Sequence, residues 1–195
     1  MGPGVLIQMK TMDDTEGVSS SVINSNNGVR VMSTKTIQSV ITRAVALRRT
    51  CSFEEALAIL LPLAEEYAEH AELMYEIGWT LDASDRSREA IPYYRKALAL
   101  GLRRDRQGCY LALGSSLRAT GQYTDSREIL EEGLREFNDY RPLRVFLALT
   151  LYNLKCSNEA VRLLIEELCA QSSDEHTRSY RPALEAYATD LDRIW

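Results

Sequence analysis

Very little in this chain of 195 residues is suited to hold a metal or to attack a substrate. It has two histidines, His70 and His176, lying more than a hundred residues apart. Its four cysteines, Cys51, Cys109, Cys156 and Cys169, form no Cys-x-x-Cys pair. Cysteine zinc sites are built from close-spaced pairs, so no metal is expected, and the thiols read as free in a reducing compartment. The sequence has no Gly-rich phosphate loop, no Gly-x-Ser-x-Gly and no His-Glu-x-x-His. Nor does any spacing set a histidine beside a cysteine as base beside nucleophile. Paired carboxylates such as Glu65-Glu66 and Glu131-Glu132 fit solvated helix faces rather than acid–base work. No catalytic residue and no cofactor are therefore expected, and the chain reads as something other than an enzyme.

A basic excess is missing as well. The formal net charge is -5, and nucleic-acid binders usually carry the opposite balance. RNA binding through Arg48, Arg49, Arg103, Arg104 and Arg106 is set aside on that ground. No apolar run approaches the roughly 18 residues of a membrane span. Val5-Leu6-Ile7 is too short for the core of a signal peptide, so a cytoplasmic protein without membrane contact is expected. With 45% hydrophobic and 26% charged residues, one globular domain fits the length.

What is present is a period. The small residues Ala44, Gly78, Gly114 and Ala148 are separated by 34, 36 and 34 residues. Three further columns repeat those separations: Leu47, Leu81, Leu117 and Leu151; Ala56, Ala90, Ser126 and Ala160; Leu60, Tyr94, Leu130 and Leu164. A helical bundle shares a period near 3.6 but not one of this length. Each unit reads as two amphipathic helices, and a unit with so little apolar face must stack on its neighbour. The small column lets the paired helix approach, and the bulky column fills the space between pairs.

Ser52-Phe-Glu-Glu55 reads as a capping box. Asp85 and Ser87, Thr124 and Asp125, and Ser157 and Asn158 offer capping oxygens in the other three turns. Pro62, well inside a second helix, should bend it, whereas Pro92 lies near a helix start. Three arginines in Leu102–Arg106 read as a solvated turn that absorbs the two extra residues. Three departures stand out: Arg43 where other units have Ile77, Leu113 and Leu147; Arg144 for Val40, Met74 and Tyr110; Glu167 for Leu63, Ala97 and Gly133. Arg43 suits a terminal unit facing water.

The stretch 71–101, with Leu73, Ile77 and Leu81 on one helix and Ala90, Tyr94 and Ala97 on the next, resembles a tetratricopeptide repeat. Tyr75-Glu-Ile-Gly-Trp79, Glu89-Ala-Ile-Pro-Tyr-Tyr94, Ala97-Leu-Ala-Leu-Gly101, Leu113-Gly-Ser115 and Leu143-Arg-Val-Phe-Leu-Ala-Leu149 are similar to the small bacterial tetratricopeptide group-five proteins. The resemblance implies an all-α, right-handed α-solenoid of four helix-turn-helix units, at about 37–70, 71–106, 107–140 and 141–172, with a C-terminal capping helix at about 178–195. Leu184, Tyr187 and Leu191 would form that helix's inner face. The array is expected over 35–195, after a leader of residues 1–34 that is polar and reads as disordered.

The same resemblance implies an interaction module and names no reaction. In such arrays the first helices line a concave groove. Its candidate residues are Tyr75, Trp79, Leu111, Ser115, Arg118, Val145, Leu149, Tyr152 and Asn153, with Ile41, Val45, Arg48 and Asp82 beside them. Aromatic anchors among aliphatic and polar groups suit a peptide or protein segment. The carboxylate clamp of co-chaperone repeats is absent, since its positions hold Ile41, Val45, Glu76, Gly108 and Ala112. The alternative is a regulatory or sensor subunit that takes a small peptide or metabolite. A monomer or weak homo-oligomer is expected, with self-association through the groove or the N-terminal end left open.

Overall fold

The computed structural model describes residues 34–194, so the expectation for the leader lies outside the described residues except at Thr34, which already belongs to the first helix. Among the described residues there are eleven helices and no strands: α1 (Thr34–Arg49), α2 (Phe53–Leu60), α3 (Leu63–Glu66), α4 (Ala71–Ala83), α5 (Ser87–Ala99), α6 (Arg106–Ala119), α7 (Tyr123–Glu136), α8 (Pro142–Asn153), α9 (Ser157–Gln171), α10 (Glu175–Ser179) and α11 (Arg181–Thr189). They stack as successive antiparallel pairs, α1 with α2, α4 with α5, α6 with α7 and α8 with α9, each second helix also meeting the next first helix. This is the expected α-solenoid. Pro62 does more than bend: α2 stops at Leu60 and the chain restarts as α3, because the ring removes an amide donor inside the helix.

Within a pair, the small and bulky columns meet. A Cβ added at Gly78 would lie 2.9 Å from the Tyr94 ring, and one at Gly114 would lie 2.5 Å from Leu130. The core runs along the array in two clusters, with Leu98 and Ile129 packing on both. Leu164 departs from its column: it is 40% exposed, whereas Leu60, Tyr94 and Leu130 are fully buried.

The turns between paired helices are made by the backbone, not by the expected caps. Ser52 makes no side-chain capping bond, and the N-caps of α5, α7 and α9 are Arg86, Gln122 and Cys156, also without one. Instead the amides of Ser52, Arg86, Gln122 and Cys156 each donate to the carbonyls of Leu47, Leu81, Leu117 and Leu151 at 2.9 Å. The preceding residues, Cys51, Asp85, Gly121 and Lys155, take φ of +59°, +63°, +82° and +67°. This is the Schellman closure, a left-handed residue followed by a six-to-one bond. Because the closing residue is also the next helix's N-cap, its ψ lies between +43° and +62° rather than extended, and its side chain does not reach the first turn.

The two departures in the last unit prove to be one interaction. Arg144 of α8 pairs with Glu167 of α9, and Arg141 joins them at 3.2 Å from Glu167. Arg144 also bonds Glu166 at 2.7 Å. In the unit before, the corresponding columns hold Tyr110 against Gly133, so a large–small contact has been exchanged for an ion pair. Of the three arginines expected in a solvated turn, Arg106 is instead held against the array, bonding Glu136, Tyr110 and the Leu98 carbonyl.

A left-handed non-glycine residue costs roughly 1–2 kcal/mol. Lys155→Gly is therefore expected to raise the urea midpoint, by about 1 kcal/mol in unfolding free energy. Gly121→Ala should lower it by a similar amount, there being nothing within 4 Å for the new methyl to meet. Gly114→Ala should cost about 1–3 kcal/mol by overpacking against Leu130. Equal midpoints for all three would refute this account of the turns and the pair contact.

Candidate functional site

The first helices α1, α4, α6 and α8 stack side by side, and the faces they turn away from the second helices form the concave surface. Its N-terminal half holds a cleft of about 460 Å³ between α1, α4 and the start of α6. Ile41, Val45 and Arg48 supply one wall at successive turns of α1, and Tyr75, Glu76 and Trp79 supply the facing wall on α4. Arg104, Asp105 and Tyr140 come from the turns ahead of α6 and α8 and close the end.

The cleft is organised by a buried charge. Arg48 Nη1 donates to Glu76 Oε2 at 2.6 Å, with both side chains almost wholly buried. The guanidinium carbon lies 3.6 Å from the centre of the Trp79 ring, a cation–π contact that holds the indole in place. Tyr75 packs on Trp79 with ring centres 5.6 Å apart, and its hydroxyl donates to Asp105 Oδ2 at 2.6 Å. Burial pushes the Glu76 carboxyl up from its ordinary value, while Arg48 pulls it back. Burial, and then the charge of Asp105, lifts the Tyr75 phenol far above its usual range, so it stays a donor. Asp105 itself sits at φ +54°, ahead of α6, where its carboxylate faces Tyr75 rather than capping the helix.

The C-terminal half differs. Val145, Leu149 and Tyr152 make a stripe along α8, 38%, 38% and 64% exposed. Arg118 Nη1 donates to Asn153 Oδ1 at 3.0 Å, tying α6 to the end of α8 at the groove edge. Ser115 is half-buried between the two halves.

Of the nine residues expected to line the groove, Tyr75 and Trp79 come together in the cleft, and Val145, Leu149 and Tyr152 share the α8 stripe. Arg118 and Asn153 are engaged with each other. Leu111 offers the groove no surface: it is 2% exposed and packs in the core with Leu130 and Leu143, because α6 is pressed between its neighbours. Glu76, Arg104, Asp105 and Tyr140 line the cleft without having been expected there. The signal for Glu76 was a lone acid inside the apolar run of α4, one unit after Arg48. Asp105 and Tyr140 lie in turns, which helix columns do not cover.

Among the described residues, no group of three or more His, Cys, Asp or Glu side chains is placed to hold a metal ion. No helix of the described residues is long and apolar enough to cross a membrane.

Removing one member of a buried ion pair costs about 3–5 kcal/mol, whereas replacing both with apolar groups can be neutral. Glu76→Ala is expected to destabilise by about that range in thermal or urea unfolding. Arg48→Met with Glu76→Leu should recover most of the loss. Glu76→Ala at wild-type stability would show that Arg48 and Glu76 do not hold the cleft together.

Comparison with known proteins agrees with the architecture. The group-five tetratrico peptide repeat family model matches residues 71–191. No curated protein matches significantly. Residues 41 to the end of MamA from Desulfovibrio magneticus RS-1 superpose with a TM-score of 0.61 at 17% identity, over 78% of this chain and 85% of that one. YrrB, described as a TPR protein with an unusual peptide-binding site, gives 0.61 at 20% identity, over 82% and 84%. A putative kinesin light chain from Podosopora anserina with nearly identical TPR-like repeats gives 0.61 at 18%, over 80% and 87%. At such identities the likeness is one of fold.

Proposed function

The chain belongs to the tetratrico peptide repeat family, and we propose that it is a non-catalytic module that binds a peptide or protein segment along its concave face. The observation that carries the reading is the pairing of two unlike surfaces on that face. One is the cleft with the Trp79 and Tyr75 rings in its wall; the other is the bare apolar stripe Val145, Leu149 and Tyr152. A cleft that admits an anchor side chain, continued by a strip that can be dried, is what an extended or helical segment needs. YrrB, a solenoid of the same fold, is described as having a peptide-binding site, which supports the reading by analogy of fold alone.

Arg48 and Asp105 do not serve as direct ligands here. Each already has a charged or phenolic partner, and each holds an aromatic ring in place. A bound segment would gain from a wall that does not have to be ordered first. Arg104, exposed at the cleft mouth, is the group available to an acidic side chain of the ligand.

A displayed peptide library selected on the wild-type protein tests this. The expected outcome is a consensus segment with an apolar or aromatic anchor, whose binding weakens at least about tenfold, some 1.4 kcal/mol, on Leu149→Asp with Tyr152→Ala. Both side chains are exposed, so the circular-dichroism spectrum should not change. Binding unaffected by these substitutions, or no enrichment at all, would count against the concave face.

A further inference from the structure

In each of the first three units, the bulky face of the second helix is covered by the first helix of the next unit: α2 by α4, α5 by α6, α7 by α8. The covered side chains are Leu57 and Leu60 in the first unit, Ile91 and Tyr94 in the second, and Leu130 in the third, at 8% exposure or less. The same register in α9 falls on Val161 and Leu164, 43% and 40% exposed, and Leu168, at the position of the half-buried Ala64, Leu98 and Leu134, is 49% exposed.

The reason is the position of α11. It packs on α9, but not where a fifth first helix would lie. At the contact, Ile165 and Glu166 line a small cavity together with Glu185, Ala188 and Thr189 of α11, and the Asn158 amide donates to Asp192, just beyond α11, at 2.6 Å. The counterparts of Asn158, Ile165 and Glu166 in α5 are Arg88, Arg95 and Lys96, charged residues of which the first two are exposed and the third half-buried. The terminal helix therefore sits on the outside of α9 and leaves the stacking face open. The expected inner face of that helix is only partly inward, since Tyr187 is 47% exposed; Trp195 lies outside the described residues.

We propose that the open face of α9 docks a second copy of this chain, α9 against α9 about a twofold axis. Three observations select this occupant. First, the face continues the stacking interface that the array uses internally, so a helix of the same amphipathic kind fits it. Second, Val161, Leu164 and Leu168 lie at i, i+3 and i+7 with no charge among them, so an antiparallel copy brings apolar onto apolar with Leu164 nearest the axis. Third, the other end of the array is unsuited to the role. On α1 the corresponding outward positions are Ser39, Arg43 and Ala46, exposed, where α4 has buried Leu73, Ile77 and Thr80. Head-to-tail stacking would set Arg43 against Leu164, whereas pairing like ends leaves both polar ends in water. A helix of this length gives a face only about 22 Å long, so the dimer is a weak one, with Kd of about micromolar.

Sedimentation equilibrium on the full chain tests this at about 100 µM, well above that Kd. The wild type is expected to be dimeric, and Leu164→Lys to be monomeric with an unchanged helical spectrum, since the residue is already partly exposed. Arg43→Glu, at the opposite end, should leave the dimer intact. In a Cys51→Ser background, Leu164→Cys should form a symmetric disulfide dimer on mild oxidation. A wild-type monomer at that concentration would overturn the proposal. So would a dimer that survives Leu164→Lys, or one that Arg43→Glu dissolves.

Discussion

In the second and third units a bulky side chain of the second helix rests on a glycine of its partner, and the rest of the molecule follows from that contact. Tyr94 lies on Gly78 and Leu130 on Gly114 with no room for a methyl group between them. That closeness fixes which face of the first helix is spent on its partner and so which face is left for the concave surface. It also explains why Tyr75 and Trp79, one turn apart, line the cleft while Ile77 is wholly buried on the other side of the same helix. Widening the contact would rotate the groove residues as well as weaken the core.

Two charge pairs join helices of the repeat structure that would otherwise slide. Arg48 and Glu76 link α1 to α4, and Arg144 and Glu167 link α8 to α9. Neither pair is a strong argument for stability, because the cost of desolvating both charges offsets most of their attraction. Their effect is on register. An apolar face repeated at helical spacing can be met one turn up or down with modest loss, while a buried guanidinium displaced by about 5.4 Å, one helical turn, loses its partner. The Trp79 ring, fixed under Arg48, takes its orientation from this register.

The repeat was legible in the sequence because stacking imposes the same demand at Gly78 and Gly114, at Tyr94 and Leu130, and at the four leucines that close the turns. Those leucines, Leu47, Leu81, Leu117 and Leu151, were visible as an apolar column, yet their carbonyls are what the turns use. The capping residues were misread for that reason: a closure made by backbone groups leaves no preferred side chain behind. Leu111 was misplaced because helix columns assign a face but not how tightly neighbouring helices press on it. Arg144 and Glu167 were each recognised as departures, and their pairing was hidden because two columns on different helices show their facing only in three dimensions. Asp105 and Tyr140 escaped because turns between units keep no period.

The concave face is not uniform, and its asymmetry bears on how a segment would be read. At the N-terminal end the two buried acids beside Trp79 are already satisfied, Glu76 by Arg48 and Asp105 by Tyr75. A ligand there cannot gain by replacing those bonds, since it would leave one buried partner unpaired at a cost of about 1–3 kcal/mol. Apart from Arg104, discrimination in the cleft would therefore come from shape against the Trp79 ring, which Tyr75, itself 4% exposed, backs. At the C-terminal end, Val145, Leu149 and Tyr152 present exposed apolar surface, which would favour a segment able to cover it. On the proposed reading, one half of the groove would select and the other half would hold. A segment that fits the cleft but lacks an apolar continuation would bind weakly, and one with only the continuation would bind without being distinguished from others.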